Sequence, residues 1–402
     1  MQSKRSFKAE LVILFGFFIM FISTSLKGVY QVYFSELTNY YHVDIAQLAF
    51  AGGMFGLTQG LFSALAGKIS DRYGAPYVLI TGTFVASIAF AIFAFDNNFI
   101  SFLLGFVLLS AYAISALTFV PVSILIDSYV TSSKRSIAYA IATNGIAIGF
   151  VILSPLWVYL NGIVKWNYIC IVLSIIFFCL TMLILTIFHS QFKNKNTCQN
   201  KREFPSLPKK WYCNKNFILS IIAFSGCGSS MSFIDVHFVP TMQEILNNTQ
   251  FDKFYEGSSL SLLGIFEFIG SILIGYLITR NKSVLVLLTI LFSVRCAALI
   301  LVLLYPFPYT LLIFSIIFGL TYMGTVIIIS KISGCLFGQD FKGYIFGIIF
   351  LFHQLSGFIT AWAGGLLKMH IGSYLPVLYL VVLWLLVSVI ASFMLTTSKR
   401  LI

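Results

Sequence analysis

Charge is what this chain has least of. Lys, Arg, Asp and Glu make up 9% of its 402 residues, against about 25% in soluble domains. With 59% hydrophobic residues and a mean hydropathy of +0.96, a water-soluble fold could not cover its own apolar surface. Acid is scarcest of all, with 13 Asp and Glu against 25 Lys and Arg. The seven cysteines are scattered and form no CxxC pair, which argues against a disulfide framework and a spaced metal site. HExxH, GxSxG and Walker motifs are missing, so neither an enzyme nor a cofactor is expected. Long polar segments are also rare. The single one is 189–215, basic and carrying Pro205 and Pro208.

What is there instead is a series of apolar runs, each of about the 20 residues that a membrane-spanning helix needs. They fall at 9–34, 46–66, 77–95, 99–126, 136–160, 166–188, 216–243, 256–278, 283–304, 309–331, 343–367 and 373–395. Barrel strands are short and alternate, so these continuous runs predict an all-α membrane protein with twelve transmembrane helices. The first run follows Lys4, Arg5 and Lys8 as a signal peptide would. It continues without a small-residue cleavage site and is expected to stay as the first helix.

The net charge of +12 would suit a nucleic-acid binder, but its placement argues otherwise. With the N-terminus inside, twenty basic residues fall on the cytoplasmic side, including those of the 189–215 loop. Three, Lys165, Lys253 and Lys368, fall outside. This asymmetry predicts both termini in the cytoplasm, a lipid bilayer as the partner and no nucleic acid. The remaining two basic residues, Lys27 and Arg295, lie inside helices.

The second half echoes the first at an offset of 208 residues. Gly67-Lys68-Ile69-Ser70-Asp71-Arg72 matches Gly275-Tyr276-Leu277-Ile278-Thr279-Arg280, and Gly149 falls on Gly357. Two pseudo-symmetric six-helix halves are predicted, 1–188 and 216–402, joined by a cytoplasmic linker at 189–215. Two such halves around a central site are the architecture of a secondary transporter.

The loop Gly67-Lys68-Ile69-Ser70-Asp71-Arg72-Tyr73-Gly74 resembles the signature Gly-x-x-x-Asp-Arg-x-Gly of the major facilitator superfamily. The resemblance implies that Gly67, Asp71, Arg72 and Gly74 form a conformational latch on the cytoplasmic side. Pro76 stands where the family usually has a second basic residue. The chain is similar in particular to the monocarboxylate-transporter-like, oxalate/formate antiporter-like bacterial branch. A bacterial inner membrane is expected, and a protein that works as a monomer.

Charge inside a bilayer costs about 2.5–3.5 kcal/mol at the helix centre, so the few intramembrane polar residues are the candidate site. Lys27 is the only charge between Glu10 and Glu36, at a position where many branch members carry Lys or Arg. Asp235 and His237 lie in Ile234-Asp235-Val236-His237-Phe238-Val239-Pro240, where the branch often shows His-x-x-Pro. The repeat offset carries Lys27 onto Asp235, so the two are expected to oppose and pair. Glu267 matches an Asp of animal monocarboxylate transporters. The Arg expected four residues on is Ser271 here, and Arg295 is the replacement cation. His353-Gln354 resembles a His-Gln-x-x-Gly pattern of bacterial members.

Together these residues imply a small organic anion as substrate, a monocarboxylate, moved by alternating access. Lys27, His237, Arg295, His353 and Gln354 are expected to bind it. Asp235 and Glu267 are expected to form ion pairs or carry protons. The competing expectation is a proton-coupled exporter of drugs or other amphipathic molecules on the same fold.

Overall fold

The computed structural model describes residues 2–131, 135–192, 210–246, 252–280, 283–338 and 342–397. Most of the expected linker, and Lys134, Lys282, Lys399 and Arg400, lie outside the described residues, as does the side chain of Asp71.

Among the described residues, twelve helices are long and apolar enough to cross a membrane. They are α1 (Ala9–Tyr41), α2 (Ile45–Ser70), α3 (Ala75–Phe95), α4 (Phe99–Tyr129), α5 (Ile141–Leu160), α6 (Trp166–Phe188), α7 (Lys215–Leu246), α8 (Asp252–Ile278), α9 (Val284–Leu304), α10 (Pro308–Phe337), α11 (Ile345–Ile371) and α12 (Leu375–Thr396). Each overlaps one of the expected runs. α1 and α10 extend a turn or two past theirs, because a helix stops at a backbone break and not where apolarity ends. The breaks are His42, at φ 52°, and Gly338, at φ 93°.

The outward apolar side chains are numerous. On α12, Leu383, Ile390 and Phe393 are 60–64% exposed. In water such a surface would drive aggregation; lipid solvates it at no cost.

Two compact units emerge from the contacts. The first comprises residues 1–43 and 58–201. In it α1 and α5 meet backbone to backbone, since a Cβ on Gly145 would lie 2.2 Å from the Phe17 carbonyl oxygen. α3 and α6 are tied by Ser87 and Ser174 and by Thr181 donating to Thr83 at 2.9 Å. One end of the unit is aromatic: Tyr30 stacks on Phe106 at 4.5 Å and Phe93 packs on Phe102 at 5.2 Å.

The second unit comprises residues 44–57 and 202–402. Residues 44–57, which the sequence puts in the 1–188 segment, pack here on α11. Phe50 meets Phe358 and Trp362 edge-on at 5.6 and 5.9 Å, and Gly53 lets α2 approach Phe358 and Ala361. Within this unit Gly270 and Gly319 hold α8 and α10 in backbone contact. Small residues therefore set the packing distances in both units.

Three helices are irregular. α1 breaks at Thr24, where Ser23 and Thr24 turn their hydroxyls back onto the carbonyls of Met20 and Phe21. α4 has a π-helical turn at Gly105–Ser110, and α7 has one at Phe233–His237. The repeat carries Thr24 onto Ser232, so the first helix of each half departs from α geometry at the same place. Lys27 and Asp235 follow directly after those points.

Candidate functional site

The second unit holds a buried polar cluster built on Arg295. The side chain comes from the middle of α9, an otherwise apolar helix, and is 0% exposed. All its donors are used. Nε donates to Thr321 Oγ1 at 3.1 Å, and Nη1 to Ser230 Oγ at 3.0 Å and Cys227 Sγ at 3.3 Å. Nη2 donates to the carbonyls of Thr321 and Tyr322. The guanidinium lies 4.8 Å from the Phe318 ring centroid, a cation–π contact. These partners come from α7 and α10, so one planar fork joins three helices.

The sequence places the partners by helical spacing. Cys227 and Ser230 are three apart on α7; Thr321 and Thr325 are four apart on α10. Each pair therefore shares a face. Cys227 Sγ also meets Thr325 Oγ1 at 3.1 Å and lies 3.7 Å from Met231 Sδ. The Tyr322 hydroxyl lies within electrostatic reach of Asp235, Glu267, Cys227 and Arg295. Glu267 is itself buried on α8, at 4% exposed.

His353 enters from α11, stacked on Phe350 at 5.1 Å and packed on Phe224 at 4.5 Å. Its Nδ1 bonds Gln354 Oε1 at 2.9 Å, while Gln354 Nε2 donates to the carbonyl of Gly56. That second bond fixes the amide with its oxygen towards the ring. Nδ1 then carries the proton and Nε2 is left as the basic nitrogen. His353 is 4% exposed, and its Nε2 has no hydrogen-bond partner among the described residues. α11 gets this close because Gly228 of α7 has no side chain: a Cβ there would stand 1.9 Å from the His353 carbonyl oxygen.

The structure thus brings Arg295, His353, Gln354, Asp235 and Glu267 into one unit, with Arg295 bonded to Cys227. Arg295, expected as the cation for Glu267, spends its hydrogen bonds on α7 and α10. His237 is fully buried, with Nε2 2.8 Å from the Ala361 carbonyl oxygen and its ring 5.7 Å from that of Tyr374. Lys27 belongs to the other unit, where Nζ lies 5.8 Å from the Phe150 ring centroid. Of the residues expected to form a latch, Gly67 faces Val120, Arg72 is exposed over the Tyr73 ring at 5.2 Å, and Gly74 turns the chain at φ 91°.

Cys227, Ser230, Thr321, Tyr322 and Thr325 were not singled out from sequence. The available signal was the recurrence of small hydroxyls and a thiol at three- and four-residue spacing on two apolar helices, facing a lone arginine. Among the described residues, no group of three or more His, Cys, Asp and Glu side chains could hold a metal ion.

Twelve apolar helices in two compact units, with charge sequestered inside, define a multi-pass membrane transporter. The model of the Major Facilitator Superfamily matches residues 13–361, and the chain belongs to that family. It therefore performs secondary transport by alternating access and is not an enzyme. Over 370 residues it is 25% identical to the uncharacterized MFS-type transporter YcxA of Bacillus subtilis (strain 168), covering 88% of this chain and 87% of that protein. Over 398 residues it is 22% identical to human Monocarboxylate transporter 12, covering 90% and 76%. In fold it is similar to a bacterial homologue of the human lysosomal transporter Spinster. The inward-facing unoccupied structure superposes with a TM-score of 0.73 at 13% identity, covering 96% of this chain and 97% of that one. The occupied structure gives 0.72 at 14% identity.

Proposed function

We propose that the protein moves a small organic anion of the monocarboxylate class, with protons as the coupling ion. The observation that supports this is Arg295: a fully buried guanidinium whose hydrogen bonds all go to neutral groups. Burying such a charge is expensive. A carboxylate ligand offsets that cost, and the fork geometry suits it. The similarity to Monocarboxylate transporter 12 points the same way.

Arg295, His353 and Gln354, all of the second unit, are assigned to the anion, with His237 shaping α11. Asp235 and Glu267, both acting on Tyr322, are assigned to proton coupling. Gly67, Asp71, Arg72 and Gly74 form the latch that changes between the two facing states. Both termini lie in the cytoplasm of a bacterial cell, in its inner membrane, and the protein works as a monomer.

The experiment is uptake into vesicles reconstituted with the purified protein, using a panel of labelled monocarboxylates and an imposed pH gradient. Gradient-stimulated uptake of one or more supports the reading. No carboxylate uptake together with efflux of cationic dyes replaces it with drug export.

A further inference from the structure

His353 and Gln354 are neighbours on α11, and the structure gives them different parts. Gln354 Nε2 donates to the Gly56 carbonyl of α2, and Gln354 Oε1 lies 2.9 Å from His353 Nδ1. A backbone carbonyl oxygen only accepts, so the amide must turn its nitrogen towards Gly56. Its oxygen then faces the ring and also only accepts, so Nδ1 must donate. The other tautomer would set a nitrogen lone pair against Oε1, and flipping the amide to relieve that would set Oε1 against the Gly56 oxygen. One backbone acceptor on α2 thus decides which nitrogen of His353 carries the proton. The tautomer lasts as long as α2 stays on α11.

The ring is held as well. It stacks on Phe350 at 5.1 Å and packs on Phe224 of α7 at 4.5 Å. A Cβ on Gly56 would stand 3.9 Å from Gln354 Nε2, so the carbonyl is open to the amide. What is left over is Nε2, a lone pair on a side chain 4% exposed, with no hydrogen-bond partner among the described residues. A buried acceptor is costly until a donor reaches it. Arg295 arrives on the same stretch of α7, bonding Cys227 three residues on from Phe224. Along the helices that hold the ring, α2 carries no ionisable side chain from Ile45 to Gly60, and α11 no other from Ile345 to Gly365. On α7, Cys227 is the nearest in sequence to Phe224, with Asp235 about two turns further on.

We propose that Gln354 is a positioning residue: tethered to Gly56, it holds His353 with the proton on Nδ1 and so presents Nε2 to the proton that travels with the anion. This rests on the anion reading and deepens it by separating what the two residues do. The proton enters from solution with the anion and sits between Nε2 and a carboxylate oxygen, so no other group is changed.

The test uses the full chain, isotopically labelled in its histidine ring nitrogens and reconstituted into vesicles. Solid-state nitrogen NMR reads the His353 ring, whose signals are those lost in His353→Asn, and lactate binding is measured on the same samples. The parent is expected to show Nδ1 protonated and Nε2 bare, and lactate to shift Nε2 while Nδ1 keeps its proton. Gln354→Met keeps the length of the side chain and removes both amide contacts. It is expected to mix the two tautomers and bind lactate about five- to tenfold more weakly, the worth of one buried hydrogen bond. Gln354→Glu keeps an oxygen beside Nδ1 and is expected to keep the tautomer. A tautomer unchanged in Gln354→Met marks a residue that only ties α2 to α11 and overturns the proposal. If Gln354→Met does not remain monodisperse, the parent decides, and a proton found on Nε2, or shared equally between the nitrogens, overturns it. Lactate binding that leaves Nε2 unshifted overturns the proposal alone. A folded parent that binds no monocarboxylate overturns the anion reading, and the role given to Nε2 with it.

Discussion

Replacing Gly228 with alanine puts a methyl group into the backbone of α11. The new Cβ would stand 1.9 Å from the His353 carbonyl oxygen and 2.5 Å from Ser356 Oγ. Ordinary contact begins near 3.4 Å, so α7 and α11 must separate by about 1.5 Å at this point. Two hydrogen bonds cross there: Ser356 Oγ to the Ser225 carbonyl at 2.6 Å, and Thr360 Oγ1 to Ser229 Oγ at 2.7 Å. Interhelical bonds in membranes average about 0.6 kcal/mol each, and overpacking a close contact costs about 1–3 kcal/mol. The expected destabilisation is therefore ~2–4 kcal/mol. Thermal unfolding in detergent reads it, with Gly275→Ala as the control. A Cβ on Gly275 meets nothing within 4 Å, and alanine is favoured over glycine in a helix by roughly 0.8–1 kcal/mol. Gly228→Ala is expected to melt earlier than the parent and Gly275→Ala no earlier. Because the displaced atom belongs to His353, Gly228→Ala is also expected to lose transport per folded molecule. Equal melting of the two variants would refute the packing argument.

Further outcomes follow from other contacts. Arg295→Lys keeps the charge but has three donors for a site that takes five hydrogen bonds. Leaving two buried acceptors without a donor costs about 3 kcal/mol, and transport at low substrate should fall on the order of 100-fold. At the α7–α11 end, Glu244 accepts from Lys368 at 2.7 Å, from Ser373 at 2.6 Å and from the Tyr374 amide. Glu244→Gln should lower unfolding stability by about 1 kcal/mol, and the double variant with Lys368→Met should melt no earlier than the sum of the singles predicts. Tyr139 donates to Asp127, which also pairs with Arg135 at 3.1 Å. Partial burial, then this hydrogen bond, raise the Tyr139 pKa above 10.0. The contribution of this group is present below about pH 10 and is lost as pH rises through the folded value. Asp127→Asn should bring the phenol's titration, followed by tyrosinate absorbance, back to lower pH.

Much of the fold was legible because apolar length alone specifies a membrane helix. All twelve runs became spans. The kinks were not legible. Nothing in the hydropathy of Phe233–His237 distinguishes a π turn from an α turn, since the choice depends on what packs on it. The candidate site was read in part. Charges such as Arg295 and Glu267 stand out in an apolar chain. Cys227, Thr321 and Thr325 do not, because small hydroxyls and thiols are common in membrane helices and matter here only through the guanidinium they face. Sequence also suggested Glu267 as the partner of Arg295 by analogy with a carboxylate–arginine pair. The three-dimensional spacing of α7 and α10 supplied hydrogen-bond acceptors that one-dimensional spacing could not show.

The most direct measurement is saturable binding of a labelled monocarboxylate to the purified protein, comparing the parent, Arg295→Lys and Gly275→Ala. The account predicts binding competed by other monocarboxylates, weakened on the order of 100-fold in Arg295→Lys and unchanged in Gly275→Ala. Binding that is indifferent to Arg295, or no carboxylate binding by a protein that is folded and monodisperse, would contradict it.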